Sequence, residues 1–176
     1  MPFTPFHMGP GAAIKAVSGS YFSLTVFGFA QIIIDIEPLI RILQGDKVLH
    51  GFTHTYIGAA LIGLFSFFVG KKCCEWLLCL WNSIVRFNCL LWLRANPNIS
   101  WASAASGAFM GTFSHVFLDS LIHSDMHPFA PFSTTNGLVH LLPTGWVYLL
   151  CSCLGVMGIM LIIVVRIWSK WAIEID

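Results

Sequence analysis

The chain has 176 residues, of which 57% are hydrophobic and 10% charged, with a formal net charge of +1. One domain's worth of chain cannot hide that much apolar surface in a single soluble core, and a charge this near zero gives no basic field for nucleic acid. The composition predicts an all-α membrane protein, folded as one membrane-embedded domain over residues 1–176.

Taken in chain order, the first fourteen residues, MPFTPFHMGPGAAI, lack a basic region followed by an apolar one, so no cleavable signal peptide is expected. A bilayer core needs about twenty mostly apolar residues, and four segments are read as spans. Residues 21–43 are apolar until Asp35, with Pro38 bending the helix. Residues 47–70 are apolar from Tyr56 to Val69. Residues 101–122 are rich in small residues suited to close helix packing. Residues 145–167 are uncharged as far as Val165. Between the second and third spans, Glu75, Cys79, Asn82 and Arg86 form one polar stripe, and Trp76, Trp81 and Trp92 suit a headgroup zone. Residues 73–93 are therefore read as an amphipathic helix lying in the interface; a fifth span is the rival reading.

With the N-terminus inside, the cytoplasmic side carries Lys15, Lys71, Lys72, Arg86, Arg94, Arg166 and Lys170, and the outer side only Arg41 and Lys47. That asymmetry agrees with the positive-inside tendency. It leaves no cysteine in an outer loop, so no disulfide framework is expected. Cys73, Cys74, Cys79, Cys151 and Cys153 are read as interfacial or span residues, not as a metal knuckle.

The stretch TFSHVFLDSLIHSDMHPF, residues 112–129, closes an apolar run yet carries His115, Asp119, His123, Asp125 and His127. Ionisable groups at membrane depth are costly and need compensation. Gly45 suits the end of a first helix and Asp46 the N-cap of a second. On that hairpin Asp35 lies roughly 15 Å, and His54 roughly 12 Å, from the turn. His115 lies about 12 Å, and Asp119 about 6 Å, from the outer end of its helix. His50 and His54 share a helix face, as do His115 and Asp119. Three helices thus deliver Asp35, His50, His54, His115 and Asp119 to one depth near the outer side. Histidine nitrogens and carboxylate oxygens in that mixture are the donor set of a divalent transition metal, Zn²⁺ first, with Mn²⁺ or Fe²⁺ as alternatives. A metal there would neutralise the carboxylates and lower the pKa of a bound water. Glu37, one turn beyond Asp35, and Asp125 are candidate general bases. His123, His127 and His140 are candidate further ligands or substrate contacts.

The segments MPFTPFHMGPG, IIIDIEPL, HGFTHTYIGA and SHVFLDSLIHSDMHPFAPF, in that order, resemble the bacterial inner-membrane proteins regarded as membrane-bound metal-dependent hydrolases, of which the LexA-regulated YdjM-type proteins are the best-known branch. The resemblance covers roughly residues 1 to 132. It implies a bacterial inner-membrane, multi-pass protein with a metal site facing the outer side. Its ligand pattern falls on His7, Asp35, His50 with His54, and His115 with Asp119. Where the family has a second aspartate two residues on, this chain has Glu37. Where the family's paired motif begins His-Arg, Gly51 follows His50, which leaves Arg41 or Lys47 as the cation to grip an anionic substrate. For His7 to reach the other ligands, residues 8–34 must enter the membrane and return, which Gly9, Pro10, Gly11 and Ser18-Gly19-Ser20 allow.

The function expected is hydrolysis of an ester or phosphoester in a membrane lipid or lipid-linked substrate. The alternative is a metal-ion or proton-coupled transporter using the same cluster. A haem-binding bundle ranks third, because it leaves Asp35 and Asp119 without a role.

Overall fold

A computed structural model describes residues 5–85, 91 and 93–174, and helices are the regular elements among them. After a 3₁₀ turn at Pro5–His7 come α1 (Met8–Ser18), α2 (Leu24–Ile34), α3 (Ile36–Gln44), α4 (Tyr56–Phe65), α5 (Lys71–Ile84), α6 (Trp101–Ile122) and α7 (Thr144–Glu174). Helix α6 is the centre. Gly107, Ala108, Gly111, Thr112, His115, Val116 and Asp119 along it are all buried. It packs against α2 and α4, while α1 packs against α7.

Among the described residues, two helices are long and apolar enough to cross a membrane. One runs unbroken from Tyr56 to Ile84, with a π-helical turn at Ser66–Gly70 joining α4 to α5; the other covers Thr144–Trp168. Only 17% of the apolar window in the second is buried within the protein, so most of its large side chains need an apolar solvent or a partner.

The expected set of four spans is corrected accordingly. Residues 101–122 do form one helix, but it is not among those apolar enough to span: its serines, glycines and His115–Asp119 pair face other helices, while Met110, Phe113 and Phe117 are exposed. Residues 21–43 form two helices, not one. Pro38 has no N–H to bond the carbonyl of Ile34, and its ring crowds that carbonyl. The chain therefore breaks at Asp35 (φ −81°, ψ −3°) and restarts with Pro38 in the first turn of α3. The flat interfacial helix is also corrected, since residues 73–84 continue the helix that begins at Tyr56. Arg86 and Trp92, which belonged to that reading, lie outside the described residues.

The hairpin turn is half as expected. Gly45 ends α3 in the left-handed conformation (φ 76°), but Asp46 caps no helix. Residues 46–51 are irregular, Phe52–His54 is a 3₁₀ turn, and Thr55 caps α4 by accepting a bond from Gly58 N–H at 3.0 Å. Gly51 explains the irregular path. A Cβ there would stand 1.9 Å from Glu37 Oε1 and 2.5 Å from Arg41 Nη2, so a side chain at this position would have to displace the Glu37–Arg41 pair.

The N-terminal segment makes the return that His7 requires. Helices α1 and α2 have eleven residues each, about 16 Å or half a bilayer core. They are joined at Gly19–Tyr21, with Gly19 at φ 54°. Helix α1 lies so close to α7 that a Cβ on Gly9 would be 1.9 Å from the Cys151 carbonyl oxygen. Phe6 also packs on Tyr148, ring centroids 5.0 Å apart. A buried apolar group of Ile34, Ala59, Val116 and Met126 binds four segments together directly beside Asp35, His115 and Asp125.

Candidate metal centre

Asp35, His54, His115 and Asp119 are buried and offer one ligand atom each within 4.8 Å of one another. The break that Pro38 imposes presents Asp35 at the end of α2. The 3₁₀ turn presents His54, and one face of α6 presents His115 and Asp119. His115 Nε2 lies 3.1 Å from both Asp35 Oδ1 and Asp119 Oδ2, and His54 Nε2 lies 3.6 and 3.5 Å from the same two oxygens. Four donors each about 2.1 Å from a common centre stand about 3.4 Å apart in a tetrahedron. The four separations bracket that value.

The bland alternative is a hydrogen-bonded or ionic packing cluster. Against it, the Nε2 atoms of His54 and His115 are buried without a hydrogen-bond partner, although carboxylate oxygens stand within reach. An unsatisfied buried nitrogen costs about 1–3 kcal/mol, and here two of them face the same two carboxylates. The donor set therefore fits a divalent metal.

The other nitrogens of these rings are held from behind. His115 Nδ1 bonds Gln31 Oε1, and Gln31 Nε2 donates to the Gly111 carbonyl at 3.0 Å. His54 Nδ1 meets Thr53 Oγ1 at 3.0 Å. Such partners fix ring orientation, and their loss typically costs 10–100-fold in metal affinity. Gln31→Leu should accordingly weaken metal binding about 10–100-fold with expression retained, read by competition with a chromophoric chelator. An unchanged affinity would remove Gln31 from the site. Gln31 was missed in the sequence, though it carried a signal: it is the polar residue four positions before Asp35 in an otherwise apolar run.

His7 joins the site, with Nε2 3.2 Å from Asp119 Oδ1, its ring 4.5 Å from that of His115, and Nδ1 buried without a hydrogen-bond partner. His50 does not share a helix face with His54, because both precede α4. Its ring is nonetheless 4.8 Å from that of His54 and 4.3 Å from that of His123. His50 Nδ1 lies 2.9 and 3.0 Å from the two oxygens of Asp125. Asp125 Oδ2 also accepts bonds from Leu49 N–H (3.0 Å) and His50 N–H (3.3 Å). Burial works against the charged Asp125 carboxylate, but the bonds from His50 and the backbone outweigh it and bring its pKa to about 2. Burial, opposed by nearby Asp119, pushes the His123 imidazole down to about 4, which keeps it neutral at pH 7.

Glu37 and Arg41 pair with each other. Glu37 Oε1 accepts from Arg41 Nε (3.0 Å) and Nη2 (2.7 Å), and Oε2 accepts from Thr53 N–H at 2.7 Å. With both oxygens engaged, Glu37 clamps the turn that carries His54 instead of standing ready as a base. His127 is exposed. His140 sits at φ 61° with its N–H donated to the Leu121 carbonyl.

No family model, curated protein or solved structure matches the chain. The class therefore rests on the molecule itself: an all-helical protein with two helices long and apolar enough to cross a membrane, and a buried His/Asp group able to hold a metal ion.

Proposed function

We propose that the protein is a metal-dependent hydrolase of a bacterial inner membrane, cleaving an ester or phosphoester of a lipid or lipid-linked substrate, with its site toward the outer side. The observation that carries this reading is the convergence of the buried Nε2 atoms of His54 and His115, neither in a well-formed hydrogen bond, on oxygens of Asp35 and Asp119. Asp35, His54, His115 and Asp119 would hold the ion, Zn²⁺ foremost. A divalent ion there supplies Lewis acidity toward a carbonyl or phosphoryl oxygen and lowers the pKa of water.

The chain's own residues supply the rest. Asp119 faces His7 Nε2, which leaves Nδ1 as the nitrogen able to take a proton, the logic of a carboxylate-oriented histidine. Glu37 and Gln31 keep His54 and His115 in place. A groove of about 540 Å³ is walled by Ile33, Ile36, Ile40 and Ile62, with Glu37, Arg41, Gln44, Asp46 and Thr53 on its polar side. Ile36 follows Asp35 in sequence and Thr53 precedes His54, which brings the groove near two of the four residues. Such a groove suits an acyl or isoprenoid chain whose head lies at the cluster.

The test is incubation of metal-loaded, detergent-purified protein with phospholipid and lipid-linked phosphoester or ester substrates. The expected result is release of the cleaved head group, abolished in His54→Ala. Metal uptake into proteoliposomes without any release would support the transporter instead.

Metal binding also has a required sign with pH. Imidazole must be neutral to ligate, so protons compete with the metal as pH falls through the histidine range, about 6.5 when unperturbed. Metal should be retained at pH 8 and lost by about pH 5. A cluster held only by imidazolium–carboxylate pairs would carry no metal even at pH 8 and would instead weaken on the alkaline side.

A further inference from the structure

Beside the first four residues, His50, His123 and Asp125 form a second group whose ligand atoms lie within 4.8 Å of one another. The role proposed for the first four residues does not use it. We infer that this group binds a second divalent cation next to the first, an inference that rests on the metal reading above.

The second group is built rather than incidental. Asp125 comes from the loop after α6 and His50 from the loop before α4, segments far apart in sequence. They are locked together by the bonds from Leu49 and His50 N–H to Asp125 Oδ2, and by Tyr56 N–H donating to the Pro128 carbonyl at 2.8 Å. Met126 anchors the same loop in the core. Asn136 fixes the end of α6 by donating to the carbonyls of Ser120 (2.9 Å) and His123 (3.2 Å). Backbone donors hold one oxygen of Asp125, while Oδ1 faces only His50 Nδ1 among its hydrogen-bonding partners, at 2.9 Å.

The His50 and His123 rings stand with centroids 4.3 Å apart, and the hydrogen bond of His50 Nδ1 to Asp125 engages only one of the two rings. A cation between them would take the nitrogen lone pairs and the carboxylate together, in the mixed N/O donor set that suits Zn²⁺ or Mn²⁺. The two groups also share a border. His123 Nε2 lies 3.9 Å from Asp119 Oδ1, while Asp119 Oδ2 belongs to the first group. Asp125 and His123 are only partly buried, with side chains 29% and 21% exposed, against 7% for Asp119. The second site is therefore the outer and more accessible of the two.

The experiment is titration of metal-stripped, detergent-purified protein with Co²⁺, read by visible absorption and by equivalents retained after gel filtration, beside His123→Ala and Asp125→Asn. The expected result is two equivalents in the parent, with one tightly held equivalent left in each variant and the weaker phase missing. Magnetic coupling between the two ions in the parent, absent in His123→Ala, is the independent readout. Retention of one equivalent by the parent and both variants alike would overturn the second site and leave the first standing. No retained metal in the parent would overturn the first site and this inference with it. If either variant fails to fold, His123→Gln, which keeps a polar side chain, answers the same question by its stoichiometry.

Discussion

Asp119→Asn should abolish metal binding. Asp119 is the residue shared most widely in the site: Oδ2 faces His54 and His115, and Oδ1 faces His7 and His123. The amide is nearly isosteric but uncharged, so it removes a negative ligand while leaving volume intact. Loss of an outer partner alone costs 10–100-fold, so loss of this ligand should exceed about a hundredfold. Elemental analysis of parent and variant, purified side by side, measures it. The fold should be retained in the variant, as judged by the elution profile in detergent. A variant that still carries the parent's metal would place the ligands elsewhere.

The second large effect is expected far from any ligand. Gly9→Val places a branched side chain where even a Cβ would stand 1.9 Å from the Cys151 carbonyl oxygen. The clash is with backbone, so no side-chain rotation relieves it, and α1 must move off α7. Overpacking of this kind costs about 3 kcal/mol or more when the backbone has to shift. Helix α1 begins one residue after His7, so its displacement pulls His7 from Asp119. The variant should unfold at a clearly lower temperature in detergent, and it should lose activity through His7 before it loses metal from the other four residues. A Gly9→Val protein of unchanged stability and activity would mean that α1 is not held as described.

The site was more legible than the fold, and particular residues show why. His115 and Asp119 are spaced i, i+4 on a helix that forms over the expected residues, so periodicity alone places them together. Asp35 was expected at the right place for an incomplete reason. Pro38 was read as a bend, whereas it breaks the helix and so exposes Asp35 at an end. His50 and His54 were expected on a helix and stand before one, in a stretch where the Gly51 backbone passes the Glu37–Arg41 pair and Thr53 N–H bonds Glu37, sixteen residues away in sequence. Simple topology put His7 on the far side; only the return of α1 and α2 brings it back. Hydropathy misjudged α6 and residues 73–84. A helix wrapped by other helices can carry serine and glycine, and a polar stripe does not end a helix that has begun at Tyr56. Gln31 and the His50–Asp125 contact depend on tertiary proximity that no local pattern encodes, although Gln31 left its trace at four residues from Asp35.

The measurement closest to the central claim is zinc K-edge X-ray absorption on detergent-purified protein reloaded with Zn²⁺. The account predicts a first shell of nitrogen and oxygen at about 2.0–2.1 Å, with the multiple-scattering signature of imidazole and no sulfur. That shell should disappear in His115→Ala. A sulfur shell at about 2.3 Å would assign the metal to the cysteines instead. No bound zinc, after reloading, would contradict the metal centre outright and leave the cluster as a polar network.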